Sequence, residues 1–329
     1  MPVIQPGLGD VHIDGPLSNL SLAFIQRQDV FVADRAFPRV PVMKVSDKFY
    51  TYDRGMFNRD EMQLRAPGAE SAGVTYTIGQ DSYSCDVWGL HVNVADQIRA
   101  NADSPIQLDR EATELLTIKA LIRREKAWAA DFFTTGVWTG DQTGVAAAPG
   151  ANQFLQWNDA LSNPIEDVRR GMTTVAERTG FRPNRMVLGR KVYDALLDHP
   201  DMVGRVDRGQ TTGTALVMRQ TLAALFELDE ILVMDGIVNN AIEGATNSHA
   251  FIGGKSALLL YTPSAPGLMV PSAGYTFVWQ GLLGGGVLGS RISRFRMEHL
   301  KADRLEIEQS FDQKKVMADA AQFFATAVA

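Results

Sequence analysis

The residues in this 329-residue sequence that could do chemistry are few, and two glycine-bearing segments come first. Gly284-Gly-Gly-Val-Leu-Gly289 fits the spacing G-x-G-x-x-G, which in dinucleotide sites opens a helix onto a pyrophosphate. Residues 276–279 could supply the preceding strand. Arg291-Ile-Ser-Arg-Phe-Arg296 does not continue as an amphipathic helix, so a flexible glycine loop is the better reading. Gly253-Gly-Lys-Ser256 resembles the end of a phosphate-binding loop. The first glycine of that motif would fall on His249, and residues 257–261 read as strand where the motif needs helix. A turn between strands is expected there.

The other reactive types are isolated. Cys85 is the one cysteine, which excludes an intramolecular disulfide and a zinc site built on cysteine pairs. His12, His91, His199, His249 and His299 lack ligand spacing, and no serine lies in G-x-S-x-G. Neither a catalytic residue, a metal site nor a cofactor is expected. Arg291, Arg294 and Arg296 form a basic cluster that could touch nucleic acid; a salt-bridged surface is the plainer reading, and pairing with acidic residues of another subunit is equally compatible. With a net charge of −6 and a pI near 5.4, tight binding to phosphate backbones is not favoured. No signal peptide is visible at the first residues, and no apolar run approaches the length of a membrane span.

The elements around these residues are more informative. Residues 1–45 read as an arm, broken by prolines and glycines yet carrying Leu17, Leu20, Leu22, Phe24, Ile25 and Phe31, so it must lie on its own body or on a neighbour. Lys48-Phe-Tyr-Thr-Tyr-Asp53 and Val74-Thr-Tyr-Thr-Ile78 read as strands flanking charged, turn-bearing sequence at 56–73. That is a long hairpin, and a lone hairpin is marginal in water, so a partner should hold it. Residues 108–133 form the strongest helix, about 39 Å long, with Leu108, Ala112, Leu115, Ile122, Ala129 and Phe133 as one stripe and Ile118, Leu121, Trp128 and Phe132 beside it. Ser104-Pro105 or Asp109 would cap it. Residues 136–150 read as a loop. A compact α/β pattern follows: helices at 164–179 (capped by Asn163, ended by Gly180), 191–199 (stopped by Pro200) and 214–226, and strands at 185–188, 231–234, 250–252 and 257–261, with a loop at 209–213. Residues 304–309 alternate as a strand, and 318–329 form an apolar tail.

This order resembles the major capsid proteins of tailed double-stranded DNA bacteriophages, the Johnson-fold family. The residues that carry the likeness are Leu108-Asp-Arg-Glu-Ala-Thr-Glu-Leu-Leu-Thr-Ile-Lys-Ala-Leu-Ile-Arg-Arg-Glu125 and Ser310-Phe-Asp-Gln-Lys-Lys-Val-Met-Ala-Asp319. The resemblance implies an α+β fold with an N-terminal arm (1–45), an extended loop (46–80) and a peripheral domain (81–163) bearing the spine helix. It further implies an axial α/β domain (164–281), a return to the peripheral domain (282–317) and a C-terminal tail on the axial domain (318–329). The implied role is structural and non-enzymatic: hexamers and pentamers of the chain forming an icosahedral head. The shell would be assembled in the host cytoplasm around DNA held without sequence-specific contact. A separate scaffolding protein, a portal and a decoration protein are the implied partners, with no membrane involved. The implied inter-subunit contacts are Phe57, Arg59, Asp60, Glu61 and Arg65. Residues 56–73 contain no lysine, so the covalent cross-link of some relatives is not expected. An encapsulin-type compartment of the same fold, and a nucleotide-binding enzyme using the Gly284 loop, are the alternatives.

Overall fold

The computed structural model describes residues 26–52, 54–102, 107–207, 218–267, 270–283 and 290–329. The apolar arm residues up to Ile25, the Ser104-Pro105 cap, the 209–213 loop, residues 214–217 and the Gly284–Gly289 motif lie outside them.

The spine helix, Leu108–Phe132, matches its expected span, and Ala112, Ile118, Trp128 and Phe132 of the two expected stripes are buried, but Leu115 is not. Leu115 is 44% exposed while Leu116 is fully buried. The inward residues step by four: Ala112, Leu116, Ala120, Arg124, Trp128 and Phe132. Each step of four advances about 40° around a helix of 3.6 residues per turn, so the buried face rotates along its length. The helix therefore serves two partners. Its first half, with Ala112 and Leu116, packs on Val94, Leu305 and Ile307 of a β-sheet. Its second half packs Trp128 and Phe132 on Phe37 and Trp138, in a core that continues to Val187, Leu258 and Phe323. No side chain caps the helix start; Asp109 lies inside it and pairs instead with Arg99 and Arg294.

The first sheet is organised by the strand Ala302–Lys315, in which residues 304–309 alternate as expected. It pairs antiparallel with Asp86–Ala95, Ser290–Met297 and Gly274–Trp279, and the last of these pairs in parallel with Arg39–Val42. Leu305 and Ile307 face the spine helix, as does Asp303 beside them. The arginine cluster is a strand of this sheet, and its cations are paired within the chain. Arg291 meets Glu308 at 2.7 Å, Arg294 meets Asp109 at 3.1 Å, and Arg296 meets Asp96 and Asp303. Asp303 receives Arg294, Arg99 at 2.8 Å and Arg296 at 3.3 Å. The hydrogen bonds from Arg294 and Arg99 hold its carboxyl well below the usual carboxylate range. A carboxylate whose pKa is lowered on folding adds stability above its unfolded pKa and loses it as pH falls through the folded one. Asp303→Asn should therefore lower the melting temperature at pH 7 and flatten its decline on acidification below the ordinary carboxylate range. Identical melting–pH curves for the variant and the parent chain would refute this reading of the cluster.

The second sheet has six strands in the order Gln153–Leu155, Gly140–Val145, Ala321–Ala325, Ala257–Leu260, Arg185–Gly189, Glu230–Met234. The expected loop at 136–150 thus contains a strand. Its glycines interrupt any apolar alternation, yet they suit the packing: a Cβ on Gly144 would lie 2.3 Å from the Thr326 carbonyl oxygen. The apolar tail is likewise a strand inside this sheet, with Phe323 and Phe324 buried on opposite faces.

The helix Pro164–Thr179 packs Ile165, Val168 and Met172 into the core against the sheet, buries Val175 as well, and ends at Gly180 in the left-handed region, φ 78°. Asn163 makes no side-chain cap bond. The helix Arg190–Leu197 stops before Pro200, as proline requires, but Pro200 then begins another helix, Pro200–Asp207. The expected helix at 214–226 is seen as Arg219–Leu225. The expected strand at 250–252 is seen as His249–Phe251, paired with Ile237–Asn239. Gly253 and Gly254 form the expected turn before the strand Ala257–Leu260. They are required by packing: a Cβ on Gly253 would lie 2.7 Å from the Met234 Cβ, and Gly254 has φ +53°.

Candidate assembly surface

Ser46–Tyr52 and Ile78–Ser84 form an antiparallel hairpin with Tyr52 opposite Ile78. The second strand begins where the expected 74–78 strand ends. The reason lies in its partner: after Tyr52 the chain turns into the short helix Arg54–Phe57, so residues before Ile78 have no strand to pair with. At the hairpin's root, Tyr83 stacks on Phe277 at 4.6 Å and Phe49 lies 5.3 Å from the same ring. Alternation then places Tyr50, Tyr52 and Ile78 on the face away from that contact. Tyr50 and Ile78 are exposed.

Beyond the paired strands, residues 58–77 run without regular structure. Phe57 is half-exposed and sits between Tyr52 (6.1 Å) and Tyr76 (6.2 Å), closing the neck of the loop. Arg59 pairs with Glu61 at 3.4 Å, the Asp60 carboxylate accepts the Met62 amide at 3.4 Å, and the Arg65 guanidinium donates to the Ala69 carbonyl. All are local and solvated, so they shape the loop and add little to stability. Met62 and Leu64 were not singled out from the sequence, yet they are 94% and 104% exposed. The alternating Asp60-Glu-Met-Gln-Leu64 pattern carried that signal.

The spine helix presents a second unpartnered surface. Leu115, Lys119, Arg123 and Lys126 lie along its exposed flank. Among the described residues, none of these three cations has a salt-bridge partner. Arg123 stacks its guanidinium 3.9 Å over the Trp88 ring. Trp88 and Leu90 belong to Asp86–Ala95, which pairs on one side only, and both side chains are exposed.

Three features near these surfaces resemble reactive sites, and their geometry argues otherwise. A groove of about 1180 Å³ between the hairpin and the body is lined by Phe49, Tyr52, Phe57, Phe181, Val270 and Tyr275 among others. Among the described residues its lining has no histidine, cysteine or cation, and Asp319 is its single carboxylate. Ser162 and His199 are buried with Oγ and Nε2 3.0 Å apart. The His199 Nδ1 accepts the Asp201 amide, so Nε2 carries the ring proton and donates towards Ser162 and the Asp159 carbonyl. The imidazole is a donor clasp here and cannot act as the base for that serine. Cys85 is buried, and burial pushes its thiol up to about 12, away from the reactive thiolate. No helix among the described residues is long and apolar enough to cross a membrane.

The family model "Phage major capsid protein E" matches residues 154–271. The major capsid protein of Pseudomonas phage JBD67 is 26% identical over 317 residues, covering 96% of this chain and 97% of that protein. A phage-related protein from Bordetella bronchiseptica superposes with a TM-score of 0.67 at 21% identity, covering 95% of this chain and 97% of that one. A subunit of the bacteriophage PhiM1 mature capsid gives 0.56 at 13%, covering 87% and 84%. The encapsulin SrpI of Synechococcus elongatus gives 0.54 at 12%, covering 92% and 89%, which shows the shared fold. The α+β architecture is the phage capsid fold, and along nearly its whole length the chain is similar to a phage major capsid protein.

Proposed function

We propose that copies of this chain build the icosahedral head of a phage as hexamers and pentamers, joined by non-covalent overlap of the hairpin with a neighbouring subunit. The observation that carries the overlap is the loop 58–77, which buries almost nothing of its own while exposing Met62 and Leu64 completely. Exposed apolar side chains on an extended segment mark a contact surface. Phe57, Arg59, Asp60, Glu61 and Arg65 are assigned to that contact. Residues 164–281 form the axial domain in this reading, with Gly140–Val145 and Ala321–Ala325 completing its sheet. Residues 81–163 and 282–317 form the peripheral domain in this reading, except that Gly140–Val145 and Gln153–Leu155 lie in the axial sheet and Gly274–Trp279 joins the peripheral one. A scaffolding protein, a portal and a decoration protein would be further partners, the enclosed DNA would be held without sequence readout, and assembly would take place in the host cytoplasm. The phage reading is favoured over a cellular compartment by the capsid protein of phage JBD67, whose likeness runs along nearly the whole chain. Sedimentation with electron microscopy of the purified protein should show capsomers or closed shells. A stable small oligomer would overturn the proposal.

The chemistry of the loop also indicates what it meets. Asp60, Glu61, Met62 and Leu64 offer acidic and apolar groups together. The spine flank offers Lys119, Arg123 and Lys126 beside Leu115, Trp88 and Leu90. Complementary charge sets register between subunits and rejects wrong partners. Lys119→Glu with Lys126→Glu should stop particle formation, and adding Asp60→Lys with Glu61→Lys should restore it, read by sedimentation. Normal particles from the first pair of changes would rule out this docking surface and leave the shell itself in place.

A further inference from the structure

The junction between the N-terminal segment and the spine helix contains a carboxylate that assembly through the hairpin does not use. Glu125 lies on the buried side of the spine helix and is 1% exposed. One of its oxygens accepts the Val32 amide at 3.1 Å, and the other accepts the Val32 amide at 3.0 Å and the Ala33 amide at 2.7 Å. Among the described residues no lysine, arginine or histidine forms an ion pair with it. Its neighbour Arg124 is committed elsewhere, to Asp34 at 3.0 Å and towards the Gln309 side chain. The nearby charge that bears on Glu125 is Asp34, which is itself held by Arg124 and by Arg39 at 2.5 Å. From the return strand, Gln309 and Gln313 are the polar groups that reach this stretch of the helix, and both are neutral. Two consecutive helix residues therefore grip residues 32–34, one through a lone buried carboxyl group and one through a paired guanidinium.

We propose that Glu125 is a proton-controlled latch: its neutral form holds residues 31–37 against the spine helix, and its ionisation weakens that hold. An ionised carboxylate here is fed by backbone amides but has no counter-charge, so burial outweighs the amides and pushes its carboxyl up to about 7. In a conformation where the segment has lifted and water reaches Glu125, the group returns to an ordinary carboxylate near 4.5. The closed form thus binds the proton more tightly than the open form. By linkage, closure is fully supported below the ordinary value and weakens as pH rises towards 7, by up to about tenfold per unit inside that window, then levels off. Acid tightens this latch. The aromatic contacts of Phe37 with Trp128, Phe132 and Trp138 hold the same segment without any titrating group, so ionisation weakens the hold without abolishing it.

Hydrogen exchange on the full-length subunit, corrected for intrinsic exchange rates, tests this. Protection at Val32, Ala33 and Phe37 should fall at least tenfold between pH 5 and pH 8. In Glu125→Gln, which keeps an acceptor and cannot ionise, protection at the same amides should not vary with pH. The strand Arg185–Gly189 should behave alike in both proteins. Equal protection at both pH values in the parent chain, or the same slope in the variant, overturns the latch. Isotope-edited infrared titration of the carboxyl band in the unmodified chain gives a readout independent of the variant's folding. A buried carboxyl titrating near 4.5 sinks the proposal, and one near 7 supports it.

Discussion

Excising residues 58–72 is expected to abolish particles while leaving a subunit that unfolds as cooperatively as the intact chain. The chain is already pinched around the excised stretch, with residues 73–75 left to bridge the gap: the Met56 sulfur lies 3.3 Å from the Thr77 amide, and Phe57 packs on Tyr76. Closing the gap therefore needs little rearrangement of the hairpin. Nothing buried is removed, because residues 58–72 are exposed nearly throughout. Surface changes of this kind usually shift stability by no more than about 0.5 kcal/mol. In the proposed shell the excision would take away the junction between subunits, and each subunit repeats that junction, so the consequence would multiply over the assembly. Sedimentation reports the particles and urea unfolding reports the fold. Shells of normal size from the shortened chain would remove the hairpin from the assembly mechanism. A subunit that no longer unfolds cooperatively would instead make the loop part of the fold.

Trp128→Ala should cost about 3–5 kcal/mol, the usual range for a large aromatic cut from a core, out of a total typically near 5–15 kcal/mol. Trp128 has no exposed surface. Phe37 meets it edge-on at 5.6 Å, Phe133 lies at 5.9 Å and Phe132 at 6.5 Å. The same core includes Val187, Leu258 and Phe323 from the six-stranded sheet. The indole is thus where the N-terminal segment, the spine helix and the second sheet meet, and no neighbour can swing in to fill its volume without breaking one of those contacts. Urea unfolding should show a lower midpoint with an unchanged slope. A drop in stability below about 1 kcal/mol would mean that the cluster repacks and that the junction is softer than its geometry implies.

The sequence disclosed most where periodicity was strong and local. The spine helix, the helix at Pro164–Thr179 and the strands around 187, 232 and 258 each carry a hydrophobic repeat long enough to read without their partners. Legibility ended where a partner decides the outcome. Gly140–Val145 lacks apolar alternation and is a strand because Ala321–Ala325 lies beside it. Residues 74–77 have strand composition and are not paired, because the opposing chain has turned away at Arg54–Phe57. On the spine helix two adjoining stripes were legible, but not which of them is buried at each end, because two partners on different sides draw the buried line around the axis. At the candidate contact, charge and turn residues made the hairpin legible. Met62 and Leu64 escaped because an apolar residue in a charged loop looks incidental until its side chain is found bare.

The place of Ala321–Ala325 also sets a timetable. Gly140 stands opposite Gln322, so two adjacent strands of one sheet leave the ribosome roughly 180 residues apart. At ordinary elongation rates that interval is about 10–40 seconds. Over its last third, once Ala257–Leu260 has been made, that strand and Gly140–Val145 wait with an open slot between them. An unfilled slot in a buried sheet invites any passing strand, including the same strand from a second nascent chain. That delay is where the unpaired strand edges most need to be covered.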